Sequence, residues 1–235
     1  WWLSFLLAII FTTVLGVLIE KVAYRPLRSA PRISALISAI GVSYLLENLG
    51  IVVLGARPRP FPRPESLVWN INLGNISFLS LAIIIPVITI ILLIAVTLFV
   101  NKTKMGTAMR AVSRDFETAS LMAVDVDKVI STTFAVGSAL AAVGGIMWGM
   151  QYPQIDPLMG VFPGLKCFIA AVMGGIGSVP GAMLGGFILG MGEVMIVGFM
   201  PGLSGYRDAF AFIVLILILL FKPGGLLGEN VVEKV

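Results

Sequence analysis

The chain has 235 residues, of which 58% are hydrophobic and 12% charged, with a formal net charge of +4 at neutral pH. Such a composition excludes an ordinary soluble domain, in which about a quarter of the residues are charged, and makes lipid the solvent. The basic excess does not signal nucleic acid, because arginines and lysines sit in short stretches between apolar runs, as the positive-inside rule demands.

The first apolar run, Trp1 to Ile19, opens with neither methionine nor a basic n-region, which predicts the remainder of a longer polypeptide, without its N-terminal membrane segments, rather than a chain that begins with a signal peptide. Glu20 to Arg32 follows with four basic residues against one acid and reads as cytoplasmic. Residues 33 to 55 form the next span, interrupted in its outer third by Glu47 and Asn48. Arg57 to Leu79 holds Pro58, Pro60, Pro62 and Pro64, predicting an extended outer segment whose three arginines run against the positive-inside rule. Alternation between Val68 and Phe78 predicts a small hairpin around Leu73-Gly74-Asn75. Leu79 to Val100 returns to the cytoplasm, with Pro86 predicted to kink it. Asn101 to Lys128, with five basic and four acidic residues, is the main cytoplasmic loop.

Val129 to Met150 crosses outward and carries Gly137, Gly144, Gly145 and Gly149, which let neighbouring helices approach closely. An outer loop with Pro153, Pro157 and Pro163 leads to a run from Gly164 to Gly175 that covers only about 18 Å, short of the ~30 Å hydrocarbon core. Gly174-Gly175-Ile176-Gly177-Ser178-Val179-Pro180-Gly181 then breaks it, so a short, re-entrant-like helix is predicted over 164–181. Met183 to Met200 resumes, and a last span from Tyr206 to Phe221 stops at Lys222-Pro223-Gly224-Gly225. The fold class is an all-α polytopic membrane bundle, a single domain over residues 1–235.

In the loop, Met109, Val112, Phe116, Ala119 and Ala123 fall at spacings of three and four and make one apolar stripe. Mixed charges around it favour a protein groove over anionic lipid, while packing back on the chain's own bundle is the plain alternative. Asp115 can instead cap a second short helix with Glu117 in its first turn, so one helix or two is left open. Glu47 and Glu193 lie within spans, where a charge must be paired, protonated or facing a cavity. Each is a translocation-path candidate, and pairing of Glu193 with Lys166 or Arg207 is the structural alternative. Ser43 and Asn48 can hydrogen-bond across helices, and Gly174, Gly175 and Gly177 can line the path or turn the chain. Cys167 reads as a small core residue. The chain has no histidine, and Gly175-Ile176-Gly177 lacks the lysine and hydroxyl of a nucleotide loop, so the visible residues offer no metal site, cofactor site or catalytic pair.

Tyr24-Arg25-Pro26-Leu27-Arg28, Leu36-Ile37-Ser38-Ala39-Ile40-Gly41, the loop from Met109 through Ala119, the run from Gly174 to Gly186, and Lys222-Pro223-Gly224-Gly225-Leu226-Leu227-Gly228 together resemble the LivH-type permeases of bacterial branched-chain amino-acid ABC importers. The resemblance implies a non-enzymatic, multi-pass subunit of the bacterial inner membrane. It further implies a related second permease, two cytoplasmic ATP-binding subunits that hydrolyse ATP, and an external substrate-binding protein. Residues 101–128 would be the coupling loop, with Arg110, Ala111, Asp115, Glu117 and Ala119 in the ATPase groove. Two departures stand out: family members often carry glycine where Ala123 stands and glutamine where Glu47 stands. Rival readings are an ion-coupled secondary transporter or channel, and a urea or amide importer permease of the same family.

Overall fold

The computed structural model describes residues 1–28, 30–64, 67–73, 76–175, 177–222 and 224–228. Its helices are α1 (Trp2–Ile19), α2 (Arg32–Leu54), α3 (Leu81–Lys102), α4 (Lys104–Arg114), α5 (Phe116–Leu121), α6 (Val126–Gln151), α7 (Val161–Gly174), α8 (Val179–Phe199) and α9 (Arg207–Phe221). Among the described residues, six stretches are long and apolar enough to cross a bilayer: Trp2–Leu27, Ile33–Leu54, Leu81–Lys102, Val126–Gln151, Val179–Phe199 and Ser204–Phe221. The protein is therefore a multi-pass, all-α membrane protein. Its apolar side chains surround the helices rather than forming one stripe, the pattern of helices that meet lipid as well as each other.

The chain packs as two units, Trp1–Leu158 and Met159–Val235. In the first, α1 packs along α6, and at Gly16 the contact leaves no room for a side chain: a Cβ there would overlap the hydroxyl of Ser138. Tyr24, in a π-helical turn over Glu20–Tyr24 that extends α1, stacks against Phe134 with ring centroids 5.2 Å apart. Leu81, Met147 and Met150 form the buried centre of this unit, with Phe5, Phe61 and Val68 against them. The proline-rich segment is extended, as expected, and its β1 (Arg59–Pro60) pairs antiparallel with β4 (Gln154–Ile155). The expected hairpin is also present as β2 (Asn70–Leu73) and β3 (Ile76–Leu79), with Asn70 opposite Leu79; its Gly74-Asn75 turn lies outside the described residues. Buried Ser80 fastens the hairpin to the start of α3, donating to the Leu67 carbonyl at 2.7 Å and accepting from the Trp69 N–H at 3.1 Å. The α3 helix runs continuously past Pro86.

In the second unit the 14 residues of α7 rise only about 21 Å, so this helix is short as predicted. The chain turns at Gly175, whose φ of +109° is open to glycine, and α8 returns alongside α7. Gly181 and Gly185 lie directly against the α7 backbone, where a Cβ would overlap the carbonyls of Gly174 and Ala170. Ile169, Met173, Leu189 and Ala211 form the core, with Val214, Leu215 and Ile218 of α9 packed on it. The segment after α9 folds back over the α7–α8 turn: the N–H groups of Leu226 and Leu227 each donate, at 2.9 Å, to the carbonyls of Met173 and Gly174. Lys222 Nζ donates to the Leu226 carbonyl at 2.7 Å. Irregular backbone at this turn is thus covered by protein, the condition under which a membrane tolerates it. Ile176 and Pro223, part of the two glycine motifs, lie outside the described residues. Cys167 departs from expectation, since it is exposed on α7 rather than in the core. An apolar neighbourhood in a membrane chain includes lipid-facing positions, which sequence alone does not separate from core ones.

Candidate functional site

Between α3 and α6 the chain forms two helices, not one. Thr103 caps α4, its hydroxyl oxygen accepting from the Gly106 N–H at 3.0 Å and its hydroxyl donating to the Phe99 carbonyl at 2.6 Å. Gly106 has no room for a side chain, because a Cβ there would overlap the Val100 carbonyl. Arg110 donates back to that same carbonyl and, at 3.3 Å, to Asn101 Oδ1, so α4 is folded against the end of α3. Met109 and Val112 are half-buried on the face that α4 turns to α3 and α6, while Ala111 is exposed.

Asp115 ends α4 and starts α5. Its extended backbone (φ −153°, ψ 111°) breaks the helical path. Its carboxylate accepts from the N–H groups of Glu117 at 3.0 Å and Thr118 at 3.1 Å, and from the Thr118 hydroxyl. That Thr118 hydroxyl bond, and next the Thr118 N–H, hold the Asp115 carboxyl below the usual aspartate value. Of the two readings the sequence left open, the second short helix capped by Asp115 with Glu117 in its first turn is the one observed, and the single stripe through Met109, Val112, Phe116, Ala119 and Ala123 does not form. The break at Asp115 re-aims everything after it: Phe116 points outward, Ala119 is buried at 4% exposure, and Ala123 lies beyond the helix with φ +59°. Glu117 is exposed. Leu121 and Met122, which the three-four spacing passed over, are the most exposed large apolar residues of this loop, at 85% and 76%.

The in-span candidates divide by environment. On α2, the Ser43 hydroxyl donates to Glu47 Oε1 at 3.0 Å and Asn48 Nδ2 donates to the Tyr44 carbonyl at 2.7 Å. These are bonds within one helical turn rather than between helices. Glu193, on α8, is buried, with Lys166 Nζ of α7 2.9 Å from its Oε1 and outside hydrogen-bond alignment. Lys166 also sits 2.9 Å from Asp208 Oδ1 at the start of α9, so one ammonium serves two carboxylates. Lys166, one of the two proposed partners of Glu193, is the observed one. Gly174 and Gly175 are buried at the α7–α8 turn, and Gly177 faces open space.

A second charged cluster was not anticipated from the sequence. Glu20 is fully buried at the end of α1, where Arg28 and Ser131 hold it; Ser131 donates to Oε2 at 2.7 Å. Arg28 also pairs with Asp127 in the first turn of α6, and Arg25 takes the second oxygen of that carboxylate. A lone acid closing an 18-residue apolar helix, followed by two arginines three apart, was the available signal.

The sequence profile of the family described as branched-chain amino acid transport system, permease component, matches residues 1–219. The chain belongs to this permease family. The high-affinity branched-chain amino acid transport system permease protein LivH of Salmonella typhimurium is 41% identical over 235 residues, which are 99% of this chain and 76% of that protein. BraD of Pseudomonas aeruginosa, described in the same words, is 42% identical over 237 residues with the same coverage. The autoinducer 2 import system permease protein LsrC of Yersinia pestis is 25% identical over 81% of this chain and 54% of its own length. No solved structure matches. As members of this family are permease components of transport systems, this chain is a transport permease component.

Proposed function

We propose that this permease is the membrane-spanning subunit of an ATP-driven importer of branched-chain amino acids in a bacterial inner membrane. It works with a related second permease, two cytoplasmic ATP-binding subunits and an external binding protein. The single observation that carries the reading is the loop between α3 and α6, which presents Phe116, Leu121 and Met122 outward although it lies outside every membrane-spanning stretch. The mixed charges around them disfavour anionic lipid as the cover, and burying one large apolar side chain is worth about 1.5–3 kcal/mol, so a protein groove is the fitting cover. Relatives at 41–42% identity named as branched-chain amino acid permeases supply the substrate class.

The test is co-purification with the ATP-binding subunits together with leucine uptake into vesicles. Phe116→Asp and Leu121→Asp are expected to release the ATP-binding subunits and to lower uptake at least tenfold. Uptake that needs no ATP and survives both substitutions would return the ion-coupled transporter, with Glu47 or Glu193 as its acid.

A further inference from the structure

The importer reading leaves open how a push on the loop reaches helices that do not touch the ATP-binding subunits. We propose that Glu20, Arg28 and Asp127 form a clamp that makes α1 move as one body with α6, so that loop displacement is delivered into α1. The proposal rests on the importer reading and goes beyond it by assigning a transmission role to these residues.

Load on α5 enters α6 through its N-terminus, where Asp125 caps the helix by accepting from the Lys128 N–H at 3.1 Å. Asp127 sits in that first turn and Ser131 one turn later on the same face. Both are gripped from the α1 side, Asp127 by Arg25 and Arg28, and Ser131 by Glu20. Arg28 closes the loop by also binding Glu20. The local backbone makes this possible. After α1 the chain widens into the π-helical turn Glu20–Tyr24 and then tightens into a 3-10 turn over Arg25–Leu27. In a 3-10 turn residues three apart eclipse each other, which brings Arg25 and Arg28 to one side, against one carboxylate. Gly16 against Ser138 and Tyr24 against Phe134 continue the same contact line along the two helices.

Stability alone does not account for this arrangement. A buried ion pair is commonly replaceable by apolar side chains at no loss, because desolvation offsets the attraction. What charges provide and apolar contacts do not is register: a forked guanidinium held by two carboxylates resists sliding of one helix past the other. Arg28 is thus a positioning residue, acting through Glu20 and Asp127.

The experiment uses the complete complex, with its ATP-binding subunits and binding protein, in vesicles where leucine uptake and ATP hydrolysis are measured together. Arg28→Ala is expected to lower leucine taken up per ATP hydrolysed at least tenfold, and Arg28→Lys by less. Because Arg28→Ala also strands a buried carboxylate, the double variant Arg28→Ala, Glu20→Gln is compared for both thermal stability and coupling. Recovery of stability without recovery of uptake per ATP supports the clamp. Recovery of both together, or a wild-type ratio in Arg28→Ala, overturns it and leaves a purely structural cluster. A wild-type complex whose uptake ignores ATP overturns the importer reading, and the clamp with it.

Discussion

Each unit fastens the end of a helical hairpin or pair, and the two do so by opposite means. In residues 1–158 the α1 and α6 ends are tied by side-chain charge, two guanidinium groups against two carboxylates, with Glu20 completely buried. In residues 159–235 the α7–α8 turn is tied by backbone, with Leu226 and Leu227 donating to Met173 and Gly174 and glycines filling the contact. A charged tie tolerates changes of shape but not of charge. A backbone tie ignores charge and tolerates no added methyl group.

The widest separation between the two devices is expected at Arg28. Removing one member of a buried pair costs about 3–5 kcal/mol, so Arg28→Ala should lower the melting temperature in detergent far more than any single charge change near the α7–α8 turn. Glu20→Gln in the same chain should return most of that loss, since the stranded charge is then gone. A smaller but equally selective effect is expected from Gly175→Ala. There φ is +109° and a Cβ would overlap Gly228, so strain and overpacking together should cost about 1–3 kcal/mol. Gly177→Ala is the control: φ is +95° but the space is open, leaving only the conformational penalty of about 1–2 kcal/mol. Equal losses for the two glycine variants would show that the tail does not hold the turn.

These ties mark where the sequence was legible and where it was not. The spans, the short helix before the glycine break and the hairpin near residues 70–79 follow from apolar run length, glycine position and alternation, all local properties. That the Gly174–Gly181 run and the Lys222–Gly228 run meet was not legible, because backbone-to-backbone pairing carries no residue code beyond the glycines that permit it. The Glu20 cluster was invisible for a related reason: its partners Arg28, Asp127 and Ser131 are up to 111 positions away, and one acid at a span's edge reads as interfacial. In the loop, periodicity found the apolar residues and Asp115 was legible as a candidate cap of a second helix, but periodicity alone did not choose between one helix and two; the Asp115 carboxylate, binding two following N–H groups, turns the chain. Hence Ala119 was assigned outward and Leu121 and Met122 were missed.

Ala123 inverts the pattern, being a site in the charge-tied unit where backbone conformation sets the cost. At φ +59° it is the only non-glycine residue in the left-handed region among the described residues. Ala123→Gly should therefore stabilise the chain by about 1 kcal/mol, read as a raised melting temperature with uptake retained. A loss of stability there would mean that chain entropy outweighs the strain.

The smallest expected effect separates charge from backbone by acid. Asp115 has its carboxyl held below the ordinary aspartate value by the Thr118 hydroxyl and N–H, so its folded value lies under its unfolded one. The cap's contribution is then complete above the unfolded value of about 4 and is lost as pH falls through the lower folded value. Amide exchange at Glu117 and Thr118, corrected for its intrinsic pH dependence, should accordingly stay protected through the neutral and mildly acidic range and open only in stronger acid. Thr118→Val, which removes the leading cause of the shift, should move that opening to higher pH. The Leu226 and Leu227 amides, bonded to carbonyls that do not titrate, should remain protected throughout the same range. If all four amides opened together, acid would be loosening the whole chain rather than releasing one carboxylate, and the distinction between a charged tie and a backbone tie would fail at its most sensitive point.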